Sequence, residues 1–332
     1  MLDIIIPAYN AENKIHKVLS SLTIQTINDF NVYIIDDGSN DCIYNEISKF
    51  NSYLNIKYLK CPHIGKPGLV RNYGLENSNG DYIMFCDSDD FFAPNAVEIV
   101  SKTFNDFPEI DFIIGFFYEQ LQNGNFIQKT QSASTWLHGN AYKREFLNKY
   151  NIRFPEQKLN EDGAFNTQVY LSSDNYKIIN LPIYYWMYDS SSLTRNNKNK
   201  NDFDFESFID LVDSLHSAYI QLFKNFGYTE NIINNMGSHL AIFYFKLCDL
   251  VHYYTLNNKY KKQYSRAVNS LNAFFNDLDK SIIFNSESFK SGFCSHYLNR
   301  KTSNTLLSLD SYFSIFGFIN FIKPEDFCGI SS

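Results

Sequence analysis

The first hundred residues hold four short apolar runs, each followed by a polar cluster and then a helical stretch. No other feature limits the fold as strongly. The runs are "LDIII" (2–6), "VYIID" (32–36), "IKYL" (56–59) and "YIMFC" (82–86). Between the first two, residues 11–25 place Ile15, Val18, Leu19 and Leu22 at helical spacing. Residues 41–50, 68–77 and 95–107 also read as helices, and "DFIIGFF" (111–117) as a further strand. Continuous apolar strands separated by helices predict an α/β fold: a mainly parallel sheet covered on both faces. Ligands bind such sheets beyond the carboxyl ends of the strands. The polar clusters "PAYN" (7–10), "DDGS" (36–39) and "DSDD" (87–90) fall there.

From about residue 196 the texture changes. "TRNNKNKND" is polar and rich in Asn and Lys, and reads as a linker. Beyond it, residues 205–226, 232–256 and shorter segments to 322 read as helices with few Gly or Pro. A chain of 332 residues suits two domains at ~100–200 residues each. The expected division is 1–198, a catalytic α/β domain, and 199–332, a smaller helical region serving acceptor binding, oligomerisation or membrane docking. The many Tyr and Phe residues of that region read as core or as contacts of a homo-oligomer.

A net charge of -7 argues against nucleic acid as a partner. The six cysteines form no C-x-x-C pair, which fits a reducing compartment. "MLDIIIPAYN" lacks the basic start and the length of a signal peptide. No window reaches the ~18 apolar residues of a membrane span. The stretch from Leu240 is broken by Lys246 and Asp249. The expected location is the cytoplasm, with peripheral contact at the inner face of the membrane as the alternative. "YFSIFGFINFI" (312–322) is apolar enough for such docking or for self-association.

Asp87, Ser88, Asp89 and Asp90 crowd three carboxylates into four positions. D-x-D by itself is a weak signal: Asp202/Asp204 and Asp277/Asp279 repeat it. Only the first pair follows a buried strand into the expected ligand crevice. Carboxylates packed there need a cation or strong hydrogen bonding. Oxygen ligands of this kind suit Mg²⁺ or Mn²⁺ shared with substrate phosphates; a capped turn is the structural alternative.

Three further stretches carry chemistry. In "DDGSND", Asp36 and Asp37 sit at a strand end, either as acceptors for a nucleoside or as part of a turn with Ser39 or Asp41 as helix N-cap. "HIGKPGLVRNYGL" (63–75) leads a loop into a helix start that suits an anion, with Lys66 and Arg71 adding charge. In "NEDGAF", Asn160 is the expected N-cap. Glu161 and Asp162 there either complement the helix dipole or supply a general base that the helix N-terminus keeps ionised.

In order and spacing, "IIIPAYN", "QT" (25–26), "VYIIDDGSND", "GKPGLVRNYGL", "NGDYIMFCDSDD", "WLHGNAYKREFL" and "IRFPEQKLNEDGAF" resemble the inverting family 2 glycosyltransferases of GT-A fold. The resemblance covers roughly residues 1–195. It implies a metal-dependent enzyme that moves a hexose or N-acetylhexosamine from a UDP-sugar to a hydroxyl of a glycan or lipid-linked glycan. Capsule, lipopolysaccharide or a teichoic-acid-type polymer is the implied acceptor; a protein acceptor is the alternative. Pro7, Tyr9, Asn10 and Asp37 or Asp36 would line the nucleoside site. Arg71 and Lys66 would lie near uracil or diphosphate. Asp89 would bind Mn²⁺ or Mg²⁺ directly, with Asp87 and Ser88 at ribose or a metal-bound water. Asp90 would face the donor sugar or the fold. Asp162 matches the base, with Glu161 beside it.

The chain also departs from the family pattern. Val70 stands where Ala is common. Tyr188 and Asp189 stand where a basic residue that holds diphosphate is common, which leaves Arg195 to compensate. No His follows as a third metal ligand, and His138 reads either as structural or as lying near the acceptor. A dehalogenase-type phosphatase would carry D-x-D on its first strand, and a dehydrogenase would carry G-x-G-x-x-G where "PAYN" stands. A binding or scaffold protein of the same fold would be favoured by loss of Asp89 or Asp162, and both are present.

Overall fold

The computed structural model describes residues 1–130, 136–190, 192, 200–254, 261–279 and a few isolated positions up to 291. The chain divides into two compact units, Met1–Asn197 and Lys198–Ser332.

In the first unit the chain runs β1 (Leu2–Ala8), α1 (His16–Thr23), β2 (Phe30–Asp36), α2 (Ile43–Ser48), β3 (Ile56–Lys60), α3 (Pro67–Glu76) and β4 (Tyr82–Phe85). It continues through β5 (Phe91–Phe92), α4 (Ala96–Asp106), β6 (Phe112–Gln120), β7 (Phe126–Lys129) and β8 (Ala141–Lys143). It then passes through α5 (Arg144–Lys149), α6 (Glu161–Ser172) and β9 (Tyr176–Trp186). One sheet holds these strands in the order β3-β2-β1-β4-β8-β6-β9-β5, with β7 paired to β6. β3, β2, β1 and β4 are mutually parallel. β8 runs antiparallel between β4 and β6, and β9 is parallel to β6. The sheet is therefore mixed beyond β4.

Strand periodicity explains the two cores. Ile4, Ile6, Val32, Ile34 and Met84 face one side with Val18, Leu19 and Leu22 of α1 and Val97, Val100 and Phe104 of α4. Ile5, Tyr33, Ile35, Ile83 and Phe85 face the other with Val70 of α3, Phe146 of α5 and Phe165 and Val169 of α6. Each such side chain contributes about 1.5–3 kcal/mol when fully buried. Gly74 lets α3 lie directly on β1: a Cβ there would stand 2.5 Å from Ile5 Cγ2. That close approach carries Arg71, three residues earlier, over the carboxyl end of the sheet.

In the order β3-β2-β1-β4 the chain adds strands first to one side of β1 and then, with β4, to the other, and this switch point creates the crevice where doubly wound sheets bind ligands. The opposite ends of these strands are tied by Asp3. Its buried carboxylate accepts from Asn31 Nδ2 (2.8 Å), Asn79 N (2.9 Å), Gly80 N (2.5 Å) and Arg144 Nη2 (3.2 Å).

The second unit contains α7 (Lys200–Phe226), α8 (Glu230–Tyr254) and α9 (Lys261–Asn276). Its core holds Phe208, Phe243 and Phe274 in edge contacts. Within it, Tyr219 Oη meets Asn235 Oδ1 (2.7 Å) and His239 Nδ1 (2.6 Å). Residues 200–202, expected as linker, are instead the first turn of α7. The segment 312–322 lies outside the described residues. Among the described residues no helix is long and apolar enough to cross a membrane.

Asp3→Ala should cost about 3–5 kcal/mol, because it strands the Arg144 charge and three other donors. Urea unfolding checks this; a loss under 1 kcal/mol would show that the network is dispensable.

Candidate active site

At the crevice between β1 and β4, three elements converge on one guanidinium. Arg71 of α3 is 4% exposed. Its Nη2 donates to Asp87 Oδ1 after β4 (2.7 Å). Its Nη1 donates to Glu161 Oε1 (3.1 Å) and Asp162 Oδ1 (3.0 Å) at the start of α6. The Phe154 ring lies 5.4 Å from its Cζ. Its Nε is buried without a hydrogen-bond partner among the described residues. Arg71, expected near uracil or diphosphate, is the buried centre of the acidic cluster.

One cation serves three acids here, so their proton affinities diverge. Burial raises the Asp87 carboxyl, but Arg71, and to a lesser degree His138, outweigh burial and hold it below the usual range. Burial pushes Asp162 well above that range; Arg71 opposes the push, while Glu161 and Asp87 add to it. The Asp162 side chain remains 24% exposed, so water tempers the effect. Glu161 is raised for the same reasons. Desolvation thus opposes the helix N-terminus, which the sequence reading expected to keep Asp162 ionised. Asn160, the expected N-cap, adopts a left-handed φ of 63° and makes no side-chain cap bond.

The remaining acids of the crowded turn have separate partners. Asp90 is buried, accepting from Tyr184 Oη (2.6 Å) and Met187 N (2.8 Å). It faces the fold, not the crevice. Burial, then Asp87 and Asp89, raise its pKa well above the carboxylate range. Tyr184 Oη also accepts from Asp87 N (3.2 Å). Asp89 is raised by burial and by Asp87, against the pull of Lys14. The Lys14 ammonium lies 3.9 Å from Asp89 Oδ2 and pairs closely with Asp189. Ser88 is half-buried in the turn whose Asp90 N donates to Asp87 O (3.2 Å).

The turn after β2 builds the opposite wall. Asp36 is fully buried and accepts from Ser39 N (2.8 Å) and the Tyr58 hydroxyl. Burial raises it, and these bonds outweigh burial to hold it below the usual range. Asp37 accepts from Ile64 N (2.5 Å) and Gly65 N (2.9 Å). Both carboxylates, expected as nucleoside acceptors, thus hold groups of neighbouring loops and strands. Gly38 sits at φ 71°, and a Cβ there would meet His63 N at 2.8 Å; the two loops touch through it. Tyr9 is 46% exposed and stacks on His63 (4.3 Å, 25°). Asn10, at φ 47°, joins Ser39 Oγ through its N–H (2.9 Å) and Asn40 N through Oδ1 (2.9 Å). Pro7 is half-buried within β1. Lys66 precedes α3 and lies 4.0 Å from Glu156, apart from the Arg71 cluster. Arg195 lies outside the described residues.

Arg71, Phe85, Cys86, Asp87, Leu137, His138, Asp162 and Tyr184 line one recess. His138 is packed there, stacked on Tyr184 (4.8 Å, 18°) and edge-on to Phe117 (4.9 Å). Sequence reasoning missed Lys14, Tyr184 and His63. Lys14 falls in an ordinary polar helix start, and Tyr184 in an aromatic run without a motif.

Residues 3–160 match the family model described as Glycosyl transferase family 2. That match spans most of the first unit and a little under half of the chain, and the GT-A fold of that unit agrees with it. It is 29% identical over 273 residues to glycosyltransferase GlyA of Streptococcus pneumoniae serotype 4, covering 73% of this chain and 36% of GlyA's length. It is 27% identical to the poly(ribitol-phosphate) beta-N-acetylglucosaminyltransferase TarP of Staphylococcus aureus, covering 68% of this chain and 74% of TarP. The crystal structure of S. aureus TarS 1-349 in complex with UDP-GlcNAc superposes with a TM-score of 0.67 at 19% identity, covering 94% of this chain and 91% of that one. At that identity the likeness speaks for the fold.

Arg71→Met should destabilise the protein by about 3–5 kcal/mol, since it leaves buried acids without their cation. Without Arg71 the three carboxyls have folded pKa values above their unfolded ones. They bind protons on folding, and stability falls as pH rises through that window. The deficit against wild type should therefore be larger at pH 8 than at pH 5 in denaturant titrations. A pH-independent deficit would refute the electrostatic account.

Proposed function

We propose that this chain is an inverting glycosyltransferase that moves a hexose or N-acetylhexosamine from a UDP-sugar to a hydroxyl of a surface-glycan acceptor. The observation that carries this reading is the meeting of Asp87 and Asp162 on Arg71 at the carboxyl ends of β1 and β4. A donor seated at that crevice has the D-x-D turn on one side and the α6 carboxylates on the other. The likeness to a TarS structure holding UDP-GlcNAc, and TarP's described activity on a ribitol-phosphate polymer, support the donor and acceptor classes.

Asp162 acts as the base. It takes the proton of the acceptor hydroxyl while that oxygen attacks the anomeric carbon, and the bond to the diphosphate breaks. A single displacement inverts the anomeric centre. A carboxyl whose pKa burial has raised holds that proton better than an ordinary one, which favours general-base catalysis. Arg71 limits the rise so that the ionised form persists. Glu161, sharing Arg71, keeps the pair's proton affinity high.

The residues fit a divalent cation. Asp89 is a hard oxygen ligand whose charge is disfavoured by burial and by its acidic neighbours. Among the described residues no three His, Cys, Asp or Glu gather into a cage, so Asp89 would share Mg²⁺ or Mn²⁺ with donor phosphates. When bound, the ion would neutralise charge on the departing diphosphate. In this reading the helical unit serves acceptor binding, self-association or docking at the inner face of a membrane, and the enzyme works in the cytoplasm.

Asp162→Asn should abolish transfer and leave UDP affinity within about twofold, as calorimetry reads it; retained transfer or lost UDP binding would sink the base assignment. The acid limb of the kcat/KM profile should lie above the ordinary carboxylate range, because activity disappears as pH falls through the raised pKa of Asp162. Arg71→Lys, which loses the two-pronged guanidinium contact, should move that limb upward. A screen of nucleotide sugars by thermal shift should single out the donor, since ligand binding raises apparent stability; no stabilisation by any uridine nucleotide would overturn the donor class.

A further inference from the structure

A donor diphosphate entering this crevice meets a charge problem. It brings negative charge beside Asp87, Asp89 and Asp189, and the nearby cations are mostly committed elsewhere. Arg71 is buried among three carboxylates. Lys60 reaches back to Ser39 O (2.8 Å) and Asp36 (3.7 Å). Lys66 lies by Glu156. Lys14 is paired too, and differs from these in place: of the three lysines it is the one at the D-x-D turn. It extends from the turn between β1 and α1, where its N–H donates to Ala11 O (2.9 Å). Its ammonium pairs with Asp189, past the end of β9, and lies 3.9 Å from Asp89. Its side chain is 39% exposed, so it stands at the mouth of the site with access to an incoming ligand.

We propose that Lys14 is the residue that meets the donor's diphosphate, and that Asp189 is the positioning residue that holds its ammonium at the D-x-D turn. The proposal rests on the nucleoside-diphosphate reading of the site given above. The positive charge that the sequence lacks at positions 188–189 is supplied from the other end of the unit. A lysine side chain is flexible, and holding it in place before the ligand arrives reduces the ordering cost of binding. Asp89 next to it remains available to a divalent cation, so ammonium and metal would flank the diphosphate together.

The test compares UDP with uridine on the full chain at saturating Mn²⁺ by calorimetry, with circular dichroism to verify folding. Lys14→Met should weaken UDP about tenfold and leave uridine within twofold, because uridine lacks the diphosphate. Lys14→Arg should retain most of the UDP affinity. Asp189→Asn should weaken UDP less than Lys14→Met does, again sparing uridine. The double variant Lys14→Asp with Asp189→Lys should recover much of the UDP affinity lost by Lys14→Asp alone. Unchanged UDP binding in Lys14→Met, or equal losses for UDP and uridine, would overturn the assignment while the donor reading stands. A wild-type protein that binds neither ligand would overturn the donor reading and this assignment with it.

Discussion

The buried guanidinium of Arg71 is the constraint from which the rest of the candidate site follows. A charge with 4% exposure is tolerable only when paired and hydrogen-bonded. Asp87, Glu161 and Asp162 supply that pairing from two different elements. In return, Arg71 fixes where the D-x-D turn stands relative to the start of α6. Its own place depends on Gly74, whose missing side chain lets α3 settle on β1. A backbone contact in the core and the geometry of the acids are thus two ends of one helix.

The crowded acids after β4 are tolerated by division of labour. Arg71 takes Asp87, Tyr184 and the Met187 amide take Asp90, and Lys14 stands between Asp89 and Asp189. Much of the countercharge is therefore supplied by the protein before any ligand arrives. A similar economy holds after β2, where Asp36 and Asp37 bind turn and loop amides. The exposed Tyr9 ring on His63 is the part of that wall left open.

The elements near the site were legible where a single face or run carries the signal. β1, β2 and β4 are buried on both sides and read as continuous apolar runs; α4 buries Val97, Val100 and Phe104 at helical spacing. β5 and β8 have two and three residues, too short for any periodicity. β7 is largely exposed and pairs only along an edge. β9 contains Pro182, opposite a register shift at Gly115 and Phe116, and proline weakens a strand reading. β7, β8 and β9 exist because β4 and β6 offer edges to pair with, and β5 because β9 does, which is a tertiary fact.

The candidate site divides in the same way. Residue type and local order were enough to single out Asp87, Asp89, Glu161, Asp162 and Arg71, because each belongs to a short motif at the end of a strand or the start of a helix. Their protonation was not readable there: it depends on burial and on sharing one cation, which sum over distant neighbours. Nor was the pairing of Lys14 with Asp189, separated by 175 positions. Local pattern set the strands, helices and motif acids of this chain. Packing decided which acid meets which cation, because electrostatic partners are chosen by distance in space and not along the backbone.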